Sequence, residues 1–398
     1  MKEGACSVID YTSILSQKVQ QIPPSGIRKF FDIANEMDHV ISLSIGEPDF
    51  TTPWHVRQEG IRSLEGGKTW YSPNRGFAEL REEIARWFLR KYHLEYKADN
   101  QVLVTVGGSE AIDLCIRALI NPGEEVLVPQ PSFVCYVPLT QMVGGAPVIV
   151  ETKAEDRFRL TPEALEAKIT PKTKLLVLPF PNNPTGAVMR RKDLEAIAAV
   201  VKKHNLMVLS DEIYSELTYG GEPHVSFAEI DGMKERTVVV NGFSKAFAMT
   251  GWRLGYALGP VEIIGQMTKL HQYAIMSAPS TAQYAAIEAM KNGDGDIASM
   301  REQYDLRRRL IVDGFNRMGL TCFEPEGAFY VFPCIRSTGL DSEAFCEKLI
   351  YSERVAVVPG PAFGACGEGF VRVSYSYSIK HITEALKRIE HFLKELHA

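Results

Sequence analysis

Five short, almost uninterrupted apolar runs recur through the middle of this chain, each ending in a turn of glycine, proline or polar residues. Val102-Leu-Val-Thr-Val106 leads into Gly-Gly-Ser-Glu, Glu125-Val-Leu-Val128 into Pro-Gln-Pro-Ser-Phe, and Leu175-Leu-Val-Leu178 into Pro-Phe-Pro-Asn-Asn-Pro-Thr-Gly. Leu206-Met-Val-Leu209 ends in Ser-Asp-Glu, and Val238-Val-Val240 in Asn-Gly-Phe-Ser-Lys. Helical periodicity lies between them, over 111–120 and 191–204. Strands apolar on both faces that alternate with helices predict a parallel α/β sheet covered on both sides. Parallel strands end on one edge, and ligands bind in the crevice there. Gly107–Glu110, Pro131–Phe133, Asn182–Gly186, Asp211 and Ser244–Lys245 are therefore expected to converge on one cleft.

From about Thr281 the pattern changes. A helical stretch over 282–318 is followed by strand candidates at Ala328–Phe332, Val355–Val358 and Phe370–Ser374, and by an amphipathic helix over 379–396. The expected organisation is an N-terminal segment (1–45) packed on a small α+β domain (286–398), with a large domain over 46–285. A chain of 398 residues suits two domains or one large elaborated one.

A net charge of −5 gives no reason to expect nucleic acid or an anionic membrane as partner, so any functional positive charge must be local. Seven scattered cysteines without CxxC pairing argue against a disulfide framework or zinc site, and for a reducing compartment. The start lacks the signal-peptide pattern, and no apolar run approaches the roughly 20 residues that span a bilayer. A cytoplasmic enzyme is expected. The histidines lack ligand spacing, so no metal is expected.

Lys245 follows a buried run closely, and partial desolvation there lowers a lysine's pKa, as Schiff-base chemistry near neutral pH requires. Arg253, eight residues on, has the planar fork that pairs with phosphate. Together they suggest a phosphorylated aldehyde, and pyridoxal 5'-phosphate (PLP) fits that description. The Gly107-Gly108-Ser109 turn suits an anion at a helix N-terminus, though Glu110 would repel one if it pointed inward. Phe133 is either a core aromatic or a flat surface for a heteroaromatic ring, with Tyr136 as rival. Asn183 is either part of a plain turn or a donor to a phenolic oxygen or carboxylate. Asp211 either caps the next helix, pairs with a structural arginine, or faces a protonated pyridine nitrogen, with Tyr214 near the phenolic oxygen. Arg372, among alternating apolar residues, is paired internally or kept for a substrate carboxylate.

IPPSGIRKFF (22–31), IGEPDF, YSPNRG, VGGSEA, PSFVCY, PNNPTG, SDEIYSEL, NGFSKAFAMTGWRLG and FVRVSYS stand here in order, over nearly the whole chain. In this the sequence resembles the fold-type I PLP-dependent aminotransferases of the class I/II group. The resemblance implies a mostly parallel seven-stranded sheet between helices in the large domain. It also implies an internal aldimine on Lys245, and transfer of an α-amino group to a 2-oxo acid (2-oxoglutarate or pyruvate) in two half-reactions. Asp211 would pair with the pyridine nitrogen, Asn183 and Tyr214 with the phenolic oxygen, and Phe133 with the ring face. Gly108, Ser109, Ser244 and Arg253 would hold the phosphate. Tyr71 would reach the phosphate of a neighbouring subunit, implying a homodimer with shared sites. Arg372, Gly46 and Asn183 would bind the substrate carboxylate.

The sequence also departs from the family pattern. Gly242 stands where some relatives have a phosphate-binding serine, which leaves Ser244 less secure. No arginine occurs from Leu254 to Met300, which disfavours strict aspartate specificity and favours aromatic, aliphatic or broad preference. Trp70, Ile27 and Tyr273 are candidates for a side-chain pocket. Two other functions compete: a PLP-dependent carbon–sulfur β-lyase on the same fold, and a non-catalytic PLP-sensing regulator. The regulator needs a DNA-binding module ahead of a pattern that here begins near Ile22.

Overall fold

The computed structural model describes residues 9–24 and 26–396. Seven strands form the central sheet: β1 Val102–Thr105, β2 Glu125–Gln130, β3 Ala146–Glu151, β4 Thr173–Leu178, β5 Met207–Asp211, β6 Thr237–Gly242 and β7 Gly255–Leu258. Their order is β1-β7-β6-β5-β4-β2-β3. β7 runs antiparallel to both neighbours and the other pairings are parallel. The five apolar runs thus become the parallel strands expected, and β3 and β7 are additions. β3 is an edge strand, mostly half-buried and interrupted by Pro147, so its apolar signal is diluted. β7 has only four residues, wedged between β1 and β6.

Period-two alternation feeds both faces of the sheet. Leu175 and Val177 pack in one layer with Ile112 and Ile116 of the helix Gly107–Leu119 and Met267 of Val261–Ala274. Leu176 and Leu178 face the opposite layer, with Leu194, Ile197 and Val201 of the helix Arg191–Lys203. Each fully buried leucine contributes about 1.5–3 kcal/mol, so this double facing locks strand register. A one-residue slip would swap the two layers.

A third core gathers Phe30 and Leu43 from early in the chain with Tyr304, Phe329, Phe345, Ile382 and Phe392 from late in it. Ile41–Ser42 pairs in parallel with Val355–Ala356, while Val371–Ser374 lies between Val358–Pro359 and Tyr330–Val331 in an antiparallel sheet. The expected strand Val355–Val358 is therefore two, divided at Val357, with partners in different sheets. The expected helix over 282–318 is also two, Ser280–Asn292 and Asp294–Arg317, separated by Gly293. A Cβ at Gly293 would stand 2.7 Å from the Phe247 ring, so this position admits only glycine without displacement. Helix Ser280–Asn292 runs uninterrupted through position 285/286 and buries Ala282, Ala285, Ala286 and Ala289 in the core shared with Val102 and Val239. No helix among the described residues is long and apolar enough to cross a membrane.

Candidate active site

The carboxyl ends of β1, β2, β4, β5 and β6 open into a cleft of about 700 Å³. Gly46, Gly108, Ser109, Phe133, Asn183, Asp211, Tyr214, Ser244, Lys245, Arg253 and Arg372 all line it. The topological expectation of one shared cleft is met for Gly108, Ser109, Phe133, Asn183, Asp211, Ser244 and Lys245, and Gly46, Tyr214, Arg253 and Arg372 join them.

Lys245 sits in a single helical turn, Phe243–Ala246, directly after β6, all of whose residues are buried. Its ammonium donates to the Gly46 carbonyl and lies 5.6 Å from the Phe329 ring centre. Burial pushes its pKa down to about 8; Glu47 opposes that shift, and Arg372 and Arg253 add to it. Gly242, just before, is tightly confined. A Cβ there would meet Gly255 Cα, Ile213 Cδ1 and Leu254 O, each at 3.1 Å. A side chain at this position would need these neighbours to give by a few tenths of an ångström, so the glycine noted there fits its surroundings closely.

Asp211 closes β5 and is almost wholly buried. Tyr136 Oη donates to its Oδ2 at 2.7 Å and the Ile213 N–H to its Oδ1 at 3.2 Å. Burial pushes its carboxyl up to about 6, and these two donors pull it back. Among the described residues it has no cationic partner. No helix begins directly after it and no arginine pairs with it among the described residues, while the Tyr136 hydroxyl is spent on Asp211.

Arg372 is buried on Val371–Ser374. Its Nη1 donates to Asn183 Oδ1 at 3.1 Å and its Nη2 to the Ser44 carbonyl, while Nε has no partner. Tyr330 and Phe363 flank the guanidinium at 4.7 and 4.8 Å. Burial lowers its pKa, and no carboxylate among the described residues pairs with it. Its internal partners are thus two neutral acceptors, with no acidic residue among them. Because Asn183 spends its oxygen on Arg372, its amide N–H groups remain available to donate.

Glu110 does not point at the anion-binding turn. Its Oε2 accepts from the Val106 N–H at 2.5 Å and its Oε1 lies 2.6 Å from Nδ1 of the fully buried His271. The carboxylate clamps the turn from behind and leaves the first N–H groups of helix Gly107–Leu119 free to face an anion. The Arg253 guanidinium lies across Gly107, where a Cβ would come within 2.8 Å of Nη2.

Three expected residues lie elsewhere. Tyr71, Trp70 and Tyr273 are exposed by 80, 73 and 86% and form no part of the cleft wall. Trp70 and Tyr273 are thus not pocket residues within this chain, and the Ile27 side chain lies outside the described residues. The segments carrying them adjoin, since Asn74 donates to the Met276 carbonyl and Ser280 to that of Trp70. One residue escaped the sequence reading. Tyr330 is hidden in the apolar run 328–332, and only its hydroxyl could have marked it. The sequence marks Tyr136 only as a ring surface, because its hydrogen-bond partner is 75 positions away.

The family profile Aminotransferase class I and II matches residues 38–389. The Bacillus subtilis (strain 168) protein named "Putative aminotransferase YugH" is 53% identical, over 96% of this chain and 99% of its own length. An aspartate aminotransferase of Pyrococcus abyssi is 45% identical, over 96 and 98%. The crystal structure of an aromatic aminotransferase from Pyrococcus horikoshii OT3 superposes with a TM-score of 0.88 at 45% identity, over 92 and 99%. The chain belongs to the class I and II aminotransferases.

Proposed function

We propose that this cleft binds PLP and that the protein moves α-amino groups from amino acids to 2-oxo acids. One observation carries the reading: a buried carboxylate without a cation and a buried guanidinium without a carboxylate face the same cleft. Lone buried charges are costly, so both call for ligand charges. A protonated pyridine nitrogen answers Asp211, and a substrate α-carboxylate answers Arg372. The remaining residues fit the same cofactor. Gly108, Ser109, Ser244 and Arg253 suit a phosphate, Asn183 and Tyr214 a phenolic oxygen, and Phe133 a ring face.

When bound, PLP supplies an electrophilic carbonyl and a conjugated sink for negative charge. The protein's own work is then local. Arg372, stacked between two rings, fixes the substrate carboxylate as a planar fork, with the Asn183 amide beside it. Lys245 Nζ, with a pKa near 8, exists in both protonation states around neutrality, so it takes a proton from the substrate α-carbon and gives it back. Burial raises the Asp211 pKa to about 6, a neighbouring cation would favour its charged form, and the Tyr136 hydroxyl holds the carboxylate in place.

Substrate choice follows from what remains. Lys245, Arg253 and Arg372 are the cations lining the cleft among the described residues, and each already has a role. None is left for a side-chain carboxylate, while Ile45, Val134 and Ile213 line the walls. We therefore place aromatic or aliphatic donors, alanine included, ahead of aspartate, with 2-oxoglutarate or pyruvate as acceptor. The exposed aromatic surface at Tyr71, Trp70 and Tyr273 supports a homodimer in which Tyr71 serves the partner's phosphate. The division into a large and a small domain belongs to the same proposal, with the change at Gly293 and residues before Ser44 joined to the small domain. Unpaired thiols among the described residues support a cytoplasmic setting.

The test is the visible spectrum of purified holoprotein during addition of alanine, aspartate or phenylalanine. Bleaching by a donor, reversed by 2-oxoglutarate or pyruvate, supports transamination and ranks the donors. Pyruvate and ammonia released from cystathionine without an acceptor would replace it with β-elimination.

A further inference from the structure

We infer that Tyr330 is a positioning residue that couples the carboxylate-binding arginine to the hydroxyl of Tyr214. The inference rests on the transaminase reading above and deepens it. Tyr330 is wholly buried, in a short strand that pairs with the strand carrying Arg372. Its ring face lies 4.7 Å from the Arg372 guanidinium, and its hydroxyl is 2.9 Å from Tyr214 Oη. The Gly46 backbone closes over that hydroxyl so tightly that a Cβ at 46 would collide with it. Gly46 in turn supplies the carbonyl that accepts from Lys245. One side chain thus touches the carboxylate fork, the tyrosine beside the proposed phenolic oxygen, and the loop that holds the lysine.

The two ends of Tyr330 act differently. The ring presses on a desolvated guanidinium that has no acidic partner, where a cation–π contact is strongest. This contact fixes the plane in which the fork meets a carboxylate. The hydroxyl sits at the other end of a two-tyrosine chain. For Tyr214 to donate into the cleft, Tyr330 must donate to Tyr214, and that bond strengthens the outward one.

Two substitutions separate the ends. Tyr330→Phe keeps the ring and removes the bond. It should leave KM for 2-oxoglutarate, and for whichever of alanine, aspartate or phenylalanine bleaches wild type fastest, within about twofold. The pH midpoint of the holoprotein's visible band should rise by roughly half a unit, because Tyr214 becomes a weaker donor to the phenolate. Tyr330→Leu removes both functions and should raise both KM values about tenfold or more, with a smaller change in kcat. Equal KM values in Tyr330→Leu and wild type, or an unmoved band in Tyr330→Phe, would overturn the assignment. Tyr330→Phe is close to isosteric, so the test survives if the leucine variant misfolds. A wild-type holoprotein that no donor bleaches would instead remove the transaminase reading itself.

Discussion

The two walls of the cleft solve the problem of a buried charge in opposite ways. On the sheet side, Asp211 is held by donors that approach along its own strand end and from the helix beginning at Tyr136. On the other side, Arg372 relies on acceptors without charge, the Ser44 carbonyl and the Asn183 amide oxygen, and one of its nitrogens stays unpartnered. The carboxylate wall is completed by segments more than 300 positions apart, whereas the sheet wall arises wherever parallel strands end. The comparison teaches that a rigid edge can carry a permanent partner for a cofactor, while an assembled wall can leave capacity for a ligand that comes and goes.

The largest blow to the sheet side is Lys245→Ala, which removes the only lysine lining the cleft among the described residues. Turnover should fall about a thousandfold or more. The far-ultraviolet circular dichroism should be unchanged, since Lys245 has no ion pair to lose among the described residues. Near-wild-type turnover in a stopped assay would break the assignment.

On the assembled wall, Arg372→Leu should lower kcat/KM on the order of several hundredfold, mostly through KM, because the substrate carboxylate is left buried and unpaired. Arg372→Lys keeps the charge but loses the fork and the stacking, and should recover only part of that. Equal losses in kcat alone would place Arg372 outside substrate binding.

The third prediction separates the walls by pH. In the protein without cofactor the Asp211 pKa, about 6, lies above its ordinary 3.8. The folded state therefore holds this proton more tightly than the unfolded chain does. The resulting stabilisation is complete below about pH 4 and is lost as pH rises through about 6, on the order of 3 kcal/mol. Melting curves of cofactor-free protein should show wild type losing a few degrees relative to Asp211→Asn between pH 4 and 7. Parallel curves for the two proteins would mean that Asp211 is better solvated than its position implies.

The smallest effect is expected for Tyr136→Phe. Losing one hydrogen bond to a charged group should weaken PLP binding about tenfold, read by equilibrium dialysis. Unchanged binding would reduce Tyr136 to packing.

Much of this contrast is visible in the amino-acid sequence, but unevenly. Asp211, Asn183 and Lys245 each lie within about five residues of the end of an apolar run, so the strand end announces them. Arg372 is conspicuous among valines, yet that its partners among the described residues are neutral acceptors is something no local pattern encodes. Tyr330 is one aromatic in a run of apolar residues, and its importance comes from Gly46, Tyr214 and Arg372 arriving from three other segments. The same limit hides Ala146–Glu151, whose edge position dilutes its pattern. It also hides the break at Gly293, where helical periodicity continues on both sides and the glycine is required by the Phe247 ring, 46 positions away.

The cleft presents Lys245, Arg253 and Arg372 against Asp211 and Glu47, within a protein of net charge −5. Before the cofactor arrives, a hollow of surplus positive potential in an acidic molecule draws small inorganic anions. Sulfate and phosphate should therefore compete with the cofactor's phosphate. Reconstitution in a weakly coordinating zwitterionic medium would then outpace that in phosphate, with the buffer acting as an unlabelled inhibitor.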